Sequence, residues 1–69
     1  MVTIRDCKGR ICCVGDPATG YIENKYKGQE AIAYLEIGRS FIILRENILT
    51  RITRTDKNTF DVERCILAA

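Results

Sequence analysis

Apolar and polar side chains alternate with a period of two along much of the chain, and turn-forming residues break the pattern at short intervals. The breaks are Lys8-Gly9, Asp16-Pro17-Ala18-Thr19-Gly20, Lys27-Gly28-Gln29, Gly38-Arg39-Ser40, Glu46-Asn47 and Asp56-Lys57-Asn58. Period two is the repeat of a strand, whose successive side chains point to opposite faces. Strand-length segments joined by tight turns predict a mostly β fold. The expected architecture is one antiparallel meander over residues 1–69, curled into a small barrel or sheet.

The first segments show the logic. A two-residue loop at Lys8-Gly9 sets Cys7 opposite Arg10 and Ile4 opposite Cys13. One face then carries Val2, Ile4, Ile11 and Cys13, and the other Thr3, Arg5, Arg10 and Cys12, which is the alternation of a half-buried antiparallel pair. In the next turn Pro17 supplies the fixed φ of a type I turn, and Gly20 takes the left-handed position before a strand at Tyr21–Lys27, with Ile22 and Tyr26 on one side. Residues 48–55 alternate Ile48, Thr50 and Ile52 with Leu49, Arg51 and Thr53. Residues 59–67 alternate Phe60, Val62, Arg64 and Ile66 with Asp61, Glu63 and Cys65. These two runs are expected to form a hairpin across Asp56-Lys57-Asn58.

Residues 29–37 carry both signals. Glu30, Ala31, Ala33, Leu35 and Glu36 favour a short helix, with Gly38 as its cap. The alternation of Ile32 and Tyr34 with Ala31, Ala33, Leu35 and Ile37 reads as a strand. The strand is preferred, because its neighbours need a pairing partner.

Phe41, Ile42, Ile43 and Leu44 are apolar at every position. In a strand, Phe41 and Ile43 point one way and Ile42 and Leu44 the other, so both sides of the ribbon need cover. A chain of 69 residues has one core to offer. The second side is then hidden by closure into a barrel, by a 29–37 helix, or by another copy of the chain. These four residues are the candidate self-association surface, and a homodimer or higher oligomer is expected. Burial at stake is about 1.5–3 kcal/mol for each large aliphatic side chain.

Composition narrows the chemistry. Apolar residues make up 46% and the net charge is +2, which suits a folded domain and implies no general electrostatic grip on nucleic acid. His and Trp are absent, so every His-based base, triad or metal site is excluded. There is no Gly-rich phosphate loop, and no two carboxylates are compelled to share a site. A non-enzymatic protein with no cofactor and no small-molecule substrate is expected. Met1 opens directly into Val2-Thr3-Ile4-Arg5 without a basic, then apolar, leader, and no run is long enough to span a membrane. The expected compartment is the cytoplasm, where thiols stay reduced.

The four cysteines are Cys7, Cys12, Cys13 and Cys65. They read in three ways: a four-thiolate zinc site, a disulfide such as Cys7–Cys12 or one to Cys65, or small apolar fillers. The spacing is poor for zinc, since adjacent Cys12 and Cys13 on a regular strand point to opposite faces. The filler reading is preferred. A thiol nucleophile lacks a His base.

Some fragments resemble the carbon storage regulator family of small RNA-binding β proteins. They are the segment Met1 to Arg5, Gly9, Val14-Gly15-Asp16, Lys27-Gly28-Gln29, Arg45-Glu46-Asn47-Ile48 and Arg51-Ile52, in order over residues 1–52. The resemblance implies a dimer with intertwined strands and RNA contacts at Ile4 and Arg45. It is partial. Asp6-Cys7 stands where the family has a basic pair, Gly38-Arg39-Ser40 replaces its Ala-Pro turn, and residues 53–69 read as a further strand pair.

The expected function is therefore a non-catalytic interaction module that binds a protein partner, as a regulator or inhibitor would, through exposed strands. The alternative is a nucleic-acid-binding regulator that uses Arg39, Arg45, Arg51 and Arg54 together with Ile4. Tyrosines would then offer stacking surfaces beside the arginines.

Overall fold

A computed structural model describes residues 1–26 and 28–66; the Tyr26 and Cys65 side chains, Lys27 and residues 67–69 lie outside the described set. The described residues form seven strands: β1 (Val2–Arg5), β2 (Ile11–Asp16), β3 (Tyr21–Tyr26), β4 (Gln29–Tyr34), β5 (Ser40–Arg45), β6 (Ile48–Asp56) and β7 (Thr59–Ile66). All pairings are antiparallel between consecutive strands, so the expected meander is present. It is divided into a four-stranded sheet, β1-β2-β3-β4, and a three-stranded sheet, β5-β6-β7. Residues 29–34 are strand, and no helix forms over the described part of 29–37. The helix alternative fails because β4 completes a six-pair ladder with β3, from Tyr21↔Tyr34 to Tyr26↔Gln29.

The core lies between the two sheets. Ile4, Cys12, Cys13 and Ile22 come from the first sheet, Leu35 from the connection that follows it, and Ile43 and Ile52 from the second. Phe41, Phe60 and Val62 pack against this cluster. The C-terminal hairpin has the expected facing: Ile48, Thr50 and Ile52 are buried while Arg51 is exposed. Asp56 and Thr59 close its turn, and the Asn58 amide donates to Asp56 Oδ1 at 2.8 Å.

The first hairpin departs from expectation at its turn and agrees at its far end. Asp6 is the hub of the loop. Its Oδ1 accepts from the Lys8 and Arg10 amides at 2.9 and 3.1 Å, and its own amide donates to the Arg10 carbonyl at 2.9 Å. Cys7, Lys8 and Gly9 thus form a three-residue loop, with Gly9 at φ +80° in the left-handed position such loops use. Arg5 then pairs with Ile11, yet Ile4 still pairs with Cys13. Cys12 is the extra residue, a β-bulge that absorbs the difference. The bulge overturns two facing expectations: Cys12 and Cys13 are both buried, and Ile11 is exposed; Val2, at the start of β1 and in regular register, is exposed as well.

Between the sheets the chain passes through residues 35–39. The Leu35 amide donates to the Gly20 carbonyl at 2.7 Å, and the Gly38 amide to the Arg54 carbonyl at 2.7 Å. Glu46 and Asn47, both at positive φ, make the two-residue turn between β5 and β6.

Candidate functional site

β5 is an edge strand of the second sheet. Its inner side chains behave as the alternation requires: Ile43 is 6% exposed and Phe41 is half-buried. Its outer ones find no cover among the described residues. Ile42 is 57% exposed and Leu44 is 64% exposed. Barrel closure within one chain does not supply the second cover, because β5 stays at an edge. Leu44 pairs with half-buried Leu49, so three aliphatic side chains share one outer patch. Beyond it the same face turns polar. Ile42 pairs with Arg51, which donates to both Glu63 carboxylate oxygens at 2.7 Å. Ser40 and Thr53 share a hydroxyl–hydroxyl bond of 2.7 Å at the end of the strand pair.

The candidate nucleic-acid residues do not form a stripe. Ile4 is 4% exposed and sits in the core, so its side chain is not at the surface. Arg39 is exposed. Arg45 donates to Asn24 Oδ1 at 3.0 Å. Arg51 is held by Glu63. Arg54 is turned onto backbone carbonyls: Pro17 and Leu35 through Nε and Nη1 and Ala18 through Nη2, all at 3.0 Å. Arg54 is thus a clasp between β6, the Pro17–Gly20 turn and the inter-sheet connection. A sequence shows a basic residue there and not its acceptors.

Two features escaped the sequence reading. Ile32 and Tyr34 are exposed on the outer side of β4, and the Tyr34 ring lies 5.3 Å from the Tyr21 ring on β3. Their alternation was visible, but their exposure depends on which face of the sheet turns away from the core, opposite buried Ile22. The second feature is a cavity of about 210 Å³ lined by Ile11, Cys12, Cys13, Val14, Glu23 and Lys25. It opens where the β2–β3 ladder stops at Val14↔Glu23 while β3 continues against β4. Lys25 and Glu23 form an ion pair of 3.1 Å on its wall, and Tyr21 donates to the same carboxylate at 2.5 Å. These bonds, Tyr21 first and then Lys25, hold Glu23 below its ordinary range, and the bond to Glu23 pushes the Tyr21 hydroxyl up to about 12.

The two buried thiols affect each other. Cys12 is held below the ordinary thiol range, first by a hydrogen bond from Cys13, against the effect of burial, and further by Thr50 and the charge of Arg45. Cys13 is pushed up by the same bond and by burial. Cys7, Cys12 and Cys13 are free thiols, so the Cys7–Cys12 disulfide reading is not realised here. The readings that involve the Cys65 side chain fall outside the described set. Among the described residues no group of three or more His, Cys, Asp or Glu side chains is placed to hold a metal ion. No helix among them is long and apolar enough to cross a membrane. No family model, no curated protein and no solved structure matches the chain.

Proposed function

We propose that this chain is a non-catalytic binding module that meets another protein through the outer face and open edge of β5, and that a second copy of the chain is its first partner. The observation that carries this reading is the exposure of Ile42 and Leu44 side by side on an edge strand. Covering each is worth about 1.5–3 kcal/mol, a large share of what so small a core yields. Leu49 extends the apolar centre, and Arg51, Glu63, Ser40 and Thr53 border it, the arrangement of an interface with a polar rim. The edge itself offers unpaired backbone groups to an added strand. β4 is a weaker candidate, since exposed Ile32 pairs with Glu23 and has no aliphatic cross-strand neighbour to extend the patch, and the Tyr34 ring lies tilted beside Tyr21. A module of this kind acts by occupying a partner's surface, the mode of a regulator or inhibitor. The reading takes the cytoplasm as its compartment, where free thiols persist.

Sedimentation of the purified chain at micromolar concentration tests the proposal. The wild type is expected to sediment as a dimer, and Leu44→Lys as a folded monomer with an unchanged far-UV spectrum. Association is expected to survive raised salt. A wild type that is monomeric across the micromolar range overturns the reading. So does retention on nucleic acid that falls steeply with salt and is indifferent to Leu44→Lys.

A further inference from the structure

We infer that Cys12 and Cys13 form a two-thiolate site for a soft, low-coordinate metal ion of the Cu(I) type, entered through the gap between β2 and β3. The inference uses residues distinct from the β5 surface and stands without it.

The β-bulge comes first. On a regular strand the two side chains would part to opposite faces, but Cys12 is the unpaired extra residue, and both cysteines are buried in the same core cluster. The cavity comes second. Both cysteines line the same 210 Å³ space, which begins where the β2–β3 pairing ends. Exposed Ile11 and Lys25 stand on its wall, so the space opens to solvent and an ion can reach the pair through it.

Ligand chemistry then selects the occupant. Neighbouring Cα atoms across a trans peptide lie about 3.8 Å apart, below the roughly 4.4–6.8 Å that a disulfide usually spans. A direct Cys12–Cys13 bond is therefore strained. One bridging atom relieves this, because each metal–thiolate bond adds about 2.3 Å. Zinc needs four ligands, and the described residues offer no third Cys, Asp or Glu to join the pair. Cu(I) is soft, prefers thiolates and is stable with two of them. Binding converts one Cu(I) and two thiols into a bis-thiolate complex of charge −1 and releases two protons, with no change in oxidation state. Arg45 acts electrostatically on both cysteines and offsets that charge. Asp6 also faces Cys12, and its charge is offset in part by Arg10, which it shares with Glu46 at 3.1 and 2.7 Å. Lys25 and Glu23 on the cavity wall neutralise each other.

The test uses the full chain carrying Cys7→Ser and Cys65→Ser, reduced and kept free of oxygen, and titrated with Cu(I) against a coloured competing chelator. One Cu(I) per chain is expected, and Cys12→Ser or Cys13→Ser is each expected to weaken binding at least a hundredfold. Failure to take up Cu(I), or full affinity after either substitution, overturns the inference. If the serine variants unfold, phenylarsine oxide on the chain with both cysteines decides. Two S–H bonds and the arsenic–oxygen bond break, two As–S bonds form and water leaves. The intact mass then rises by one arsenical less one water, and both thiols resist alkylation. Two thiols that alkylate independently in the presence of the arsenical overturn the inference.

Discussion

The Arg54 guanidinium donates to the Leu35 carbonyl at 3.0 Å, and the same side chain reaches the Pro17 and Ala18 carbonyls at equal distance. A planar fork with fixed donors can serve three carbonyls at once, and an ammonium cannot. Hydrogen bonds to a charged group contribute about 1.5–3 kcal/mol each before solvent exposure is discounted. Arg54→Ala is expected to lower unfolding stability by about 2 kcal/mol, and Arg54→Lys to recover less than half of that. Urea unfolding of the three proteins checks it; a lysine variant equal to wild type would mean that charge alone matters.

Gly20 precedes β3 at φ +80°, and a Cβ there would run into the Leu35 carbonyl. The Leu35 amide is bonded to Gly20's own carbonyl at 2.7 Å, so neither backbone can retreat cheaply. Gly9 has the same φ but open space around it. Gly9→Ala should cost only the left-handed penalty of about 1–2 kcal/mol. Gly20→Ala should cost clearly more and leave little folded protein at room temperature. Thermal melts of the two variants side by side read the difference.

Asp6 gives the fold a dependence on acid. Burial raises its pKa, but the amides of Arg10 and Lys8 and the Arg10 charge outweigh this, so the folded value lies below the unfolded one. A carboxylate lowered on folding stabilises fully above its unfolded pKa, and that stability is lost as pH falls through the folded value. Asp6→Asn is therefore expected to melt below wild type at neutral pH. The gap should narrow as the pH falls through the folded-state pKa of Asp6, below which its carboxyl is as neutral as the amide. A gap unchanged by pH would assign the loss to shape and not to charge.

What the sequence revealed follows from the range over which each signal acts. Turn residues and period-two alternation are local, and they located the hairpins, the inward Ile48, Thr50 and Ile52, and the strand at 41–44. Even the Ile4↔Cys13 pairing was legible. The bulge at Cys12 was not, because it arises from competition between a two-residue loop and the Asp6 hydrogen bonds, and only the second choice leaves a residue over. The division into two sheets was hidden for a similar reason. It depends on residues 35–39 being drawn to Gly20 and Arg54, partners distant in sequence. Arg54 was a nucleic-acid candidate by its charge and Ile4 by the family resemblance; the structure turns the first onto backbone carbonyls and buries the second in the core.

Ile42 and Ile43 are neighbours of the same type on opposite sides of β5, which makes them a controlled pair. Ile43 packs with Ile52 and Phe41 in the core, whereas Ile42 is exposed. Ile43→Ala removes buried methyl groups and leaves a void, at a cost of about 2–5 kcal/mol, enough to unfold much of so small a protein. Ile42→Ala in dilute solution should change monomer stability by no more than about 0.5 kcal/mol. Concentration separates the two further. If a second copy covers Ile42, the wild-type melting midpoint rises with protein concentration, because association stabilises only the folded state. The Ile42→Ala midpoint should then be nearly flat over the same range. Equal losses at the two positions in dilute solution would contradict the facing of β5. A wild-type midpoint independent of concentration would leave the facing intact and remove the second copy as the cover.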